Sequence, residues 1–373
     1  MSRPDPAERS DSPAPSDSPA APAAPAVPAV PALADMLDRA RVVALPLRTR
    51  FRGVDVREAM LFDAPGGWVE WSPFPEYGPE EASRWLRCAV ELGWGAPPTP
   101  VVDSVEVNAT IPAVDVSADG EAVARLLERY PGCATVKVKV AEAGQTVADD
   151  VARVDAVRAW FSSRHVVPKV RVDANGGWTP AEAVDATAAL TRGGPLDYVE
   201  QPCRTVGELA EVRRELSRRG IVARIAADEL IRKADDPLAV VRAGACDVAV
   251  VKAAPLGGVG QVVRVAEEIG RLGVPVTVSS ALETAVGMGA GLRAAAALPV
   301  LCDADGTPVH PNPAGLATGS LFEVDVARRD IVDGRIAVGP VIPDAAVLDE
   351  CAASGARRDW WFRRLESALD VLR

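Results

Sequence analysis

The sequence predicts an α/β protein: a closed barrel of parallel strands with a smaller α+β unit ahead of it. Three observations lead there. After Pro100, short β-branched runs alternate about eight times with Ala-, Glu- and Arg-rich stretches of helical period, over some 200 residues, which is the rhythm of a βα barrel. Before Pro100 the texture differs, alternating apolar and polar residues between turn signals. No GxGxxG follows the first strand, which counts against the competing open doubly wound sheet.

A length of 373 residues fits two to three domains, or one large barrel with an attachment. Lys and Arg number 41 against 52 Asp and Glu, a net charge of −11, so the basic footprint that nucleic acid or an anionic membrane requires is missing. The expected partner is a small molecule. The two histidines, His165 and His310, leave little room for a His-based zinc site or a Ser-His or Cys-His triad. The chemistry must run on carboxylates and lysines. Cys88, Cys133, Cys203, Cys246, Cys302 and Cys351 form no CxxC pair and read as free thiols in a reducing compartment. The N-terminus lacks the apolar run of a signal peptide and no stretch reaches a membrane span of about 18 apolar residues, so the expected location is the cytoplasm.

Residues 1–33, rich in Pro and Ala with nine prolines before residue 33, predict a disordered tail. Residues 34–103 read as the N-terminal part of a cap. A Pro-Gly-Gly turn follows "LFDA" in an antiparallel meander, then "PEEASRWLRCAVEL" (79–92) forms an amphipathic helix with Trp85, Leu86, Ala89 and Val90 on one face. Trp71 and Trp85 are assigned to the cap core. Residues 104–302 carry the barrel, with strands in "VEVNATI" (105–111), "TVKVKV" (135–140), "PKVRVDAN" (168–175) and "LDYVEQP" (196–202). The series continues with "ARIAADE" (223–229), "DVAVVKAAP" (247–255), "VPVTVSS" (274–280) and "LPVL" (298–301). Residues 303–373 have no strand–helix unit of their own and are expected to pack back on the N-terminal unit.

In such a barrel the active site forms at the C-terminal ends of the strands. Those ends carry Lys139, Asp173, Glu200, Asp228 and Lys252, at intervals of 34, 27, 28 and 24 residues, about one βα unit each. Three carboxylates gathered on one rim are costly without a cation, and oxygen-only ligands suit the hard ion Mg²⁺. Singly, each acid also reads as a solvated loop residue or a helix cap. In "TVKVKV", Lys137 and Lys139 share a face, Val136, Val138 and Val140 the other. They are either charges blunting an edge strand or an active-site pair, one ammonium making its neighbour a better base. Lys252 approaches from another side. A divalent cation with lysines around a cavity fits removal of a proton α to a carboxylate, the metal stabilising the enediolate.

The motifs "KVKV", "VDANGGW", "EQP", "AADE", "VVK" and "SSALETAVG", in this order, resemble the muconate-lactonizing branch of the enolase superfamily. "PLRTRFRGVDVREAMLF", "GWVEWSPFPEY", "VEVNATIPAV" and "GLATGSLFEVDV" bring the resemblance to its o-succinylbenzoate synthase family, over nearly all of residues 40–340. The resemblance implies a modified TIM barrel, (β/α)7β, under a capping domain built from both chain ends. It implies Asp173, Glu200 and Asp228 as ligands of Mg²⁺, with Mn²⁺ as a substitute, Lys139 as base and acid, and Lys137 as its partner. Lys252 falls on the position that stabilises the planar intermediate, Asn175 and Glu229 on positions supporting the ligands, and Ser279 and Ser280 on the segment contacting a succinyl arm. The implied reaction is the syn dehydration of 2-succinyl-6-hydroxy-2,4-cyclohexadiene-1-carboxylate to 2-succinylbenzoate, in menaquinone biosynthesis.

Two other functions use the same residues. An N-succinylamino acid racemase or related epimerase would exchange protons between Lys139 and Lys252. A non-catalytic anion-binding barrel would use "PLGGVG" (255–260) as a helix-start anion site, where the glycine pair otherwise makes a tight turn. His165 is expected on the surface and His310 in a structural role. Arg50 and Arg52, on the meander, are candidates for meeting substrate carboxylates.

Overall fold

The computed structural model describes residues 30–51, 53–232 and 236–373. Most of the expected tail, residues 1–29, and Arg52 lie outside the described residues. The first element, helix α1 (Leu33–Asp38), begins on the last residue assigned to that tail and precedes the meander. Strands β1 (Ala40–Phe51), β2 (Val54–Ala64) and β3 (Gly67–Trp71) form the antiparallel cap sheet, with Met60 opposite Trp71. Helix α2 (Pro79–Trp94) lays its buried stripe of Ala82, Trp85, Leu86, Ala89 and Val90 on that sheet, following the 3.6-residue period that predicts it. The Trp71 indole N–H donates to Ala82 O at 2.9 Å. Trp71 and Trp85 are 0% and 1% exposed, core residues as expected.

The run 105–111 divides. β4 (Ser104–Glu106) belongs to a peripheral sheet and β5 (Ala109–Ile111) opens the barrel. After α3 (Ala122–Leu127) the βα rhythm runs through β6 (Thr135–Lys139), α4 (Val147–Ser162), β7 (Lys169–Asp173), α5 (Pro180–Leu190), β8 (Tyr198–Glu200) and α6 (Val206–Arg218). It continues with β9 (Ile225–Ala227), α7 (Glu229–Arg232), α8 (Ala239–Arg242), β10 (Val248–Val251), α9 (Ala253–Leu256), α10 (Val259–Arg271), β11 (Val276–Val278) and α11 (Met288–Ala296). One local device starts three of these helices. Thr146, Thr179 and Thr205 each make a capping box with the acid three residues on.

Strands β5 to β11 form one seven-stranded parallel sheet in sequence order. The eighth position is not taken by "LPVL". Leu301 enters β12 (Leu301–Cys302), which pairs antiparallel with β13 (Pro308–Val309), while Val300 is 78% exposed. Pro299 has no N–H to give a ladder. Ala314 and Gly315 bridge the sheet's ends instead: Gly315 N–H donates to Val278 O at 2.8 Å, and Asn108 N–H to Ala314 O at 2.9 Å. Residues beyond 303 thus complete the barrel as well as the cap.

A 3-10 turn (Thr318–Leu321) follows, then β14 (Ile331–Val332) and β15 (Arg335–Ala337), which pairs with β4. Helices α12 (Ala345–Glu350) and α13 (Gly355–Leu372) bring the chain back to the cap. There Trp361 meets Trp71 edge to face at 5.4 Å, and Arg357 grips the Glu58 carboxylate. No helix among the described residues is long and apolar enough to cross a membrane. The six thiols are free. His165 is exposed after α4, and His310, expected in a structural role, is exposed after β13.

Candidate active site

Five adjacent strands of the parallel sheet deliver the five predicted side chains. β6, β7 and β8 end on Lys139, Asp173 and Glu200, and Asp228 and Lys252 directly follow β9 and β10. The register pairs Lys139 with Asp173, and Asp173 with Glu200. On β6, Val136 and Val138 are fully buried, while Lys137 and Lys139 take the opposite face and are partly buried. β6 lies inside the sheet between β5 and β7, so an edge role for its lysines is ruled out.

The charges interlock. Lys137 Nζ donates to Asp173 Oδ2 at 3.0 Å and to Glu200 Oε1 at 2.9 Å, and Lys252 Nζ to Asp228 Oδ2 at 2.6 Å. Arg232 Nε stands 3.2 Å from Asp228 Oδ1. Lys139 keeps apart from the carboxylates, donating to Val140 O at 2.8 Å. Burial works to lower the Lys137 ammonium, but Asp173 and Glu200 overcome it and hold it well above its ordinary value. Burial likewise resists ionisation of Asp173, and Lys137 and Lys139 prevail, holding that carboxyl below its usual range. Glu200 goes the other way: burial, with Asp173 beside it, pushes it up to about 7 against the pull of Lys137. The sequence expects Lys137 to face Lys139 as a second ammonium, whereas the structure turns its charge onto two carboxylates.

Among the described residues, no three acidic, His or Cys side chains are gathered closely enough to hold an ion as they stand. Ammonium groups lie between the carboxylates instead. The donor set nevertheless fits a hard cation. It is oxygen-only, and Glu200 Oε2 is buried with no hydrogen-bond partner, an orphaned acceptor of the kind that a metal ion satisfies.

Two spaces meet at this rim. An inner one of about 30 Å³ is bounded by Lys137, Asp173, Asp228, Lys252, Ser279 and Ser280. An outer one of about 600 Å³, under the cap, is bounded by Arg50, Tyr77, Lys139, Asn175, Glu229 and Arg232 among others. Asn175 N–H donates to Asp173 Oδ1 at 3.1 Å, and its amide reaches Glu229 Oε1 at 3.4 Å. Ser280 Oγ pairs with Thr318 Oγ1 at 2.8 Å.

The family model described as "Enolase C-terminal domain-like" matches residues 120–344, and "Enolase N-terminal domain-like" matches residues 42–93. An o-succinylbenzoate synthase of Mycobacterium marinum is 52% identical over 341 residues, covering 91% of this chain and 96% of the relative. One of Mycobacterium tuberculosis matches at the same identity and coverage. The chain belongs to the o-succinylbenzoate synthase family of the enolase superfamily. Members of that superfamily generally use Mg²⁺, and this chain is an enzyme of its lyase class. The fold is similar to the muconate lactonizing enzyme of Pseudomonas fluorescens complexed with muconolactone, with a TM-score of 0.66 at 18% identity, covering 84% of this chain and 98% of that one. The muconate lactonizing enzyme of Pseudomonas putida gives 0.62 at 18% identity, with the same coverage.

Two residues at the rim, Arg232 and Gln201, and one behind it, Glu91, escape the sequence reading. Arg232, 4% exposed, joins Asp228 to Glu229 Oε1 (2.9 Å) and to the cap's Tyr77 hydroxyl (3.3 Å). Its i,i+4 spacing from Asp228 in "DELIR" was the available signal. Gln201 Oε1 accepts the Asp228 N–H at 2.9 Å, which gives the "EQP" glutamine a task. Glu91, on α2, accepts the Val259 and Gly260 N–H groups at 2.5 and 2.9 Å. The start of α10 is therefore already occupied by a carboxylate of the cap, and Gly257 (φ +91°) and Gly258 (φ +134°) make the tight turn before it. That leaves the anion-binding barrel without its site. Of the cap arginines, Arg50 borders the outer space but is exposed and lies 3.9 Å from Asp55.

Proposed function

We propose that this enzyme removes water from 2-succinyl-6-hydroxy-2,4-cyclohexadiene-1-carboxylate to give 2-succinylbenzoate, a cytoplasmic step of menaquinone biosynthesis. The observation that carries the reading is the separation of the two lysine roles. Lys252 is tied to Asp228 at 2.6 Å and lines the inner space, while Lys139 makes no ion pair with the carboxylates and lines the outer one. A lysine on one side to move the proton, with a fixed positive charge on the other, suits elimination. A two-base racemase needs Lys252 as a proton carrier.

Asp173, Glu200 and Asp228 would hold one divalent cation, Mg²⁺ or Mn²⁺, which supplies positive charge against the substrate carboxylate and so acidifies the adjacent C–H. Lys139, in its neutral form, takes the proton from the ring carbon bearing that carboxylate. The electron pair left behind forms the new ring double bond as the neighbouring C–O bond breaks. The Lys139 ammonium, on the same face, returns its proton to the departing hydroxyl, so water leaves by syn elimination and Lys139 ends neutral. Lys252, opposite, faces the negative charge that builds on the flattened ring. Lys137 neutralises Asp173 and Glu200, and Asn175, Glu229 and Gln201 keep the carboxylates oriented. Aromatisation of the ring drives the step.

The test is to follow loss of the cyclohexadiene by ultraviolet absorbance with Mg²⁺, against EDTA and Lys139→Ala controls, with N-succinyl amino acids followed by polarimetry. The expected result is fast aromatisation that stops in both controls. Racemisation with little aromatisation would move the function to the racemase, and neither activity in folded protein would overturn the assignment.

A further inference from the structure

The segment Ser279–Gly287 has two halves with different duties. Ser279, Ser280, Ala281 and Leu282 line the inner space beside Lys137 and Lys252. The second half, Glu283 to Gly287, is buried and turned toward the cap. There Glu70 of β3, 9% exposed, places one carboxylate oxygen against three donors: the Thr284 N–H at 3.0 Å, the Thr284 hydroxyl at 2.5 Å and the Gly287 N–H at 3.1 Å. Its other oxygen accepts from Ser72 Oγ at 2.5 Å. Arg57 of β2, 2% exposed, donates through Nε to Leu282 O at 2.9 Å and through Nη2 to Ser72 O and Oγ.

Two backbone features show how far the segment depends on these contacts. Leu282 sits at φ +66°, in the left-handed region, where a leucine persists only if its surroundings over-determine it. A Cβ on Gly287 would come within 2.5 Å of the Glu70 carboxylate, so the approach of the cap acid needs glycine at that position. The wall of the inner space is therefore shaped by a cap that does not line it.

We infer that Glu70 and Arg57 of the cap are positioning residues for the substrate, acting through Thr284 and Leu282 to set the Ser279–Leu282 wall. The inference rests on the proposed reaction for its substrate. Asp173 and Glu200 end β7 and β8 and Asp228 follows β9, and Glu70 and Arg57 bond the Ser279–Gly287 segment and Ser72 rather than these acids, so cation binding is expected to survive loss of the clasp. A wall out of place costs binding in the ground state and the transition state alike, which raises KM and leaves kcat nearly unchanged.

Thr284→Val removes the hydroxyl that donates to Glu70 and accepts the Val286 N–H at 3.2 Å, at nearly constant shape, and Thr284→Ser restores it. Hydrogen exchange of the Ser279–Leu282 amides in ligand-free protein is expected to quicken at least about tenfold in Thr284→Val, with the loss of two buried hydrogen bonds, and to return in Thr284→Ser. KM, and Kd for 2-succinylbenzoate, should rise by about the same factor, with kcat within about twofold and Mg²⁺ affinity by calorimetry unchanged. Unchanged exchange would overturn the inference whatever the activity. So would faster exchange with KM and Kd unmoved, or a lower Tm with nothing else altered. A wild-type protein that leaves the cyclohexadiene untouched would instead overturn the proposed reaction, and the exchange data would still decide the clasp.

Discussion

Lys137 Nζ lies 2.9 Å from Glu200 Oε1, reaching across the sheet to a carboxylate two strands away. Lys139, two residues on and on the same face, donates to backbone carbonyls, those of Val140 and Asp173. Two lysines on one face of one strand therefore do different things: one balances the buried acids, and the other lines the outer space under the cap.

That division predicts a clean result for Lys139→Ala. Loss of a general base lowers kcat by about 10²- to 10⁴-fold. Mg²⁺ binding should persist by calorimetry and Tm should change little, because Lys139 donates no hydrogen bond to a carboxylate and Lys137 remains on Asp173 and Glu200. A parallel loss of cation binding would mean that Lys139 supports the acids and that the assignment of the base is wrong.

Glu200 is the place to test the cation. A ligand that binds only folded protein stabilises it by about 2.7 kcal/mol at a hundred times its Kd, so Tm of the wild type should climb with Mg²⁺ concentration. Glu200→Gln removes the carboxylate whose Oε2 is buried without a partner, and the climb should disappear. If it persists undiminished, the ion binds elsewhere.

The Glu91 carboxylate is the N-terminal partner of α10, holding the Val259 and Gly260 N–H groups. Glu91→Ala leaves those donors without it and loosens α2 from the barrel, at an expected cost of about 1–2 kcal/mol in urea unfolding. Turnover should be little changed, since Glu91 lines neither of the two spaces at the rim. An activity loss larger than the stability loss would show that α2 reaches the chemistry.

Asp325 makes stability depend on pH. Burial, reinforced by the charge of Glu70, pushes its carboxyl up to about 7 against the N–H groups of Ala285, Val326 and Ala327. Arg329 faces it, pushed down to about 10 by its own burial against the attraction of Asp325. The folded protein thus holds a proton that the unfolded chain releases near pH 4. Stability from this group is full below that value and falls as pH rises toward about 7. Asp325→Asn should flatten Tm between pH 4 and 7, and an unaltered slope would show that Asp325 titrates normally.

Much of the rim could be read without a structure, because the signals are local. A strand alternates its faces every residue, so Lys137 and Lys139 had to share one. A βα unit returns the chain to the same edge every 25 to 35 residues, so the acids at 173, 200 and 228 had to arrive together. The helix at 79–92 and the three capping boxes are equally local.

What escaped is made by segments far apart in the chain. Ala314 and Gly315 close the barrel with a two-residue bridge too short to carry a hydrophobic period, while the more strand-like "LPVL" is left outside because Pro299 cannot join a ladder. Glu91 reaches across to Val259, Glu70 to Thr284 and Lys137 to Glu200. Each partner was chosen by which buried donors and acceptors the packed chain brought together. A buried charge must be matched wherever the fold places it, and no local pattern in 373 residues records that match.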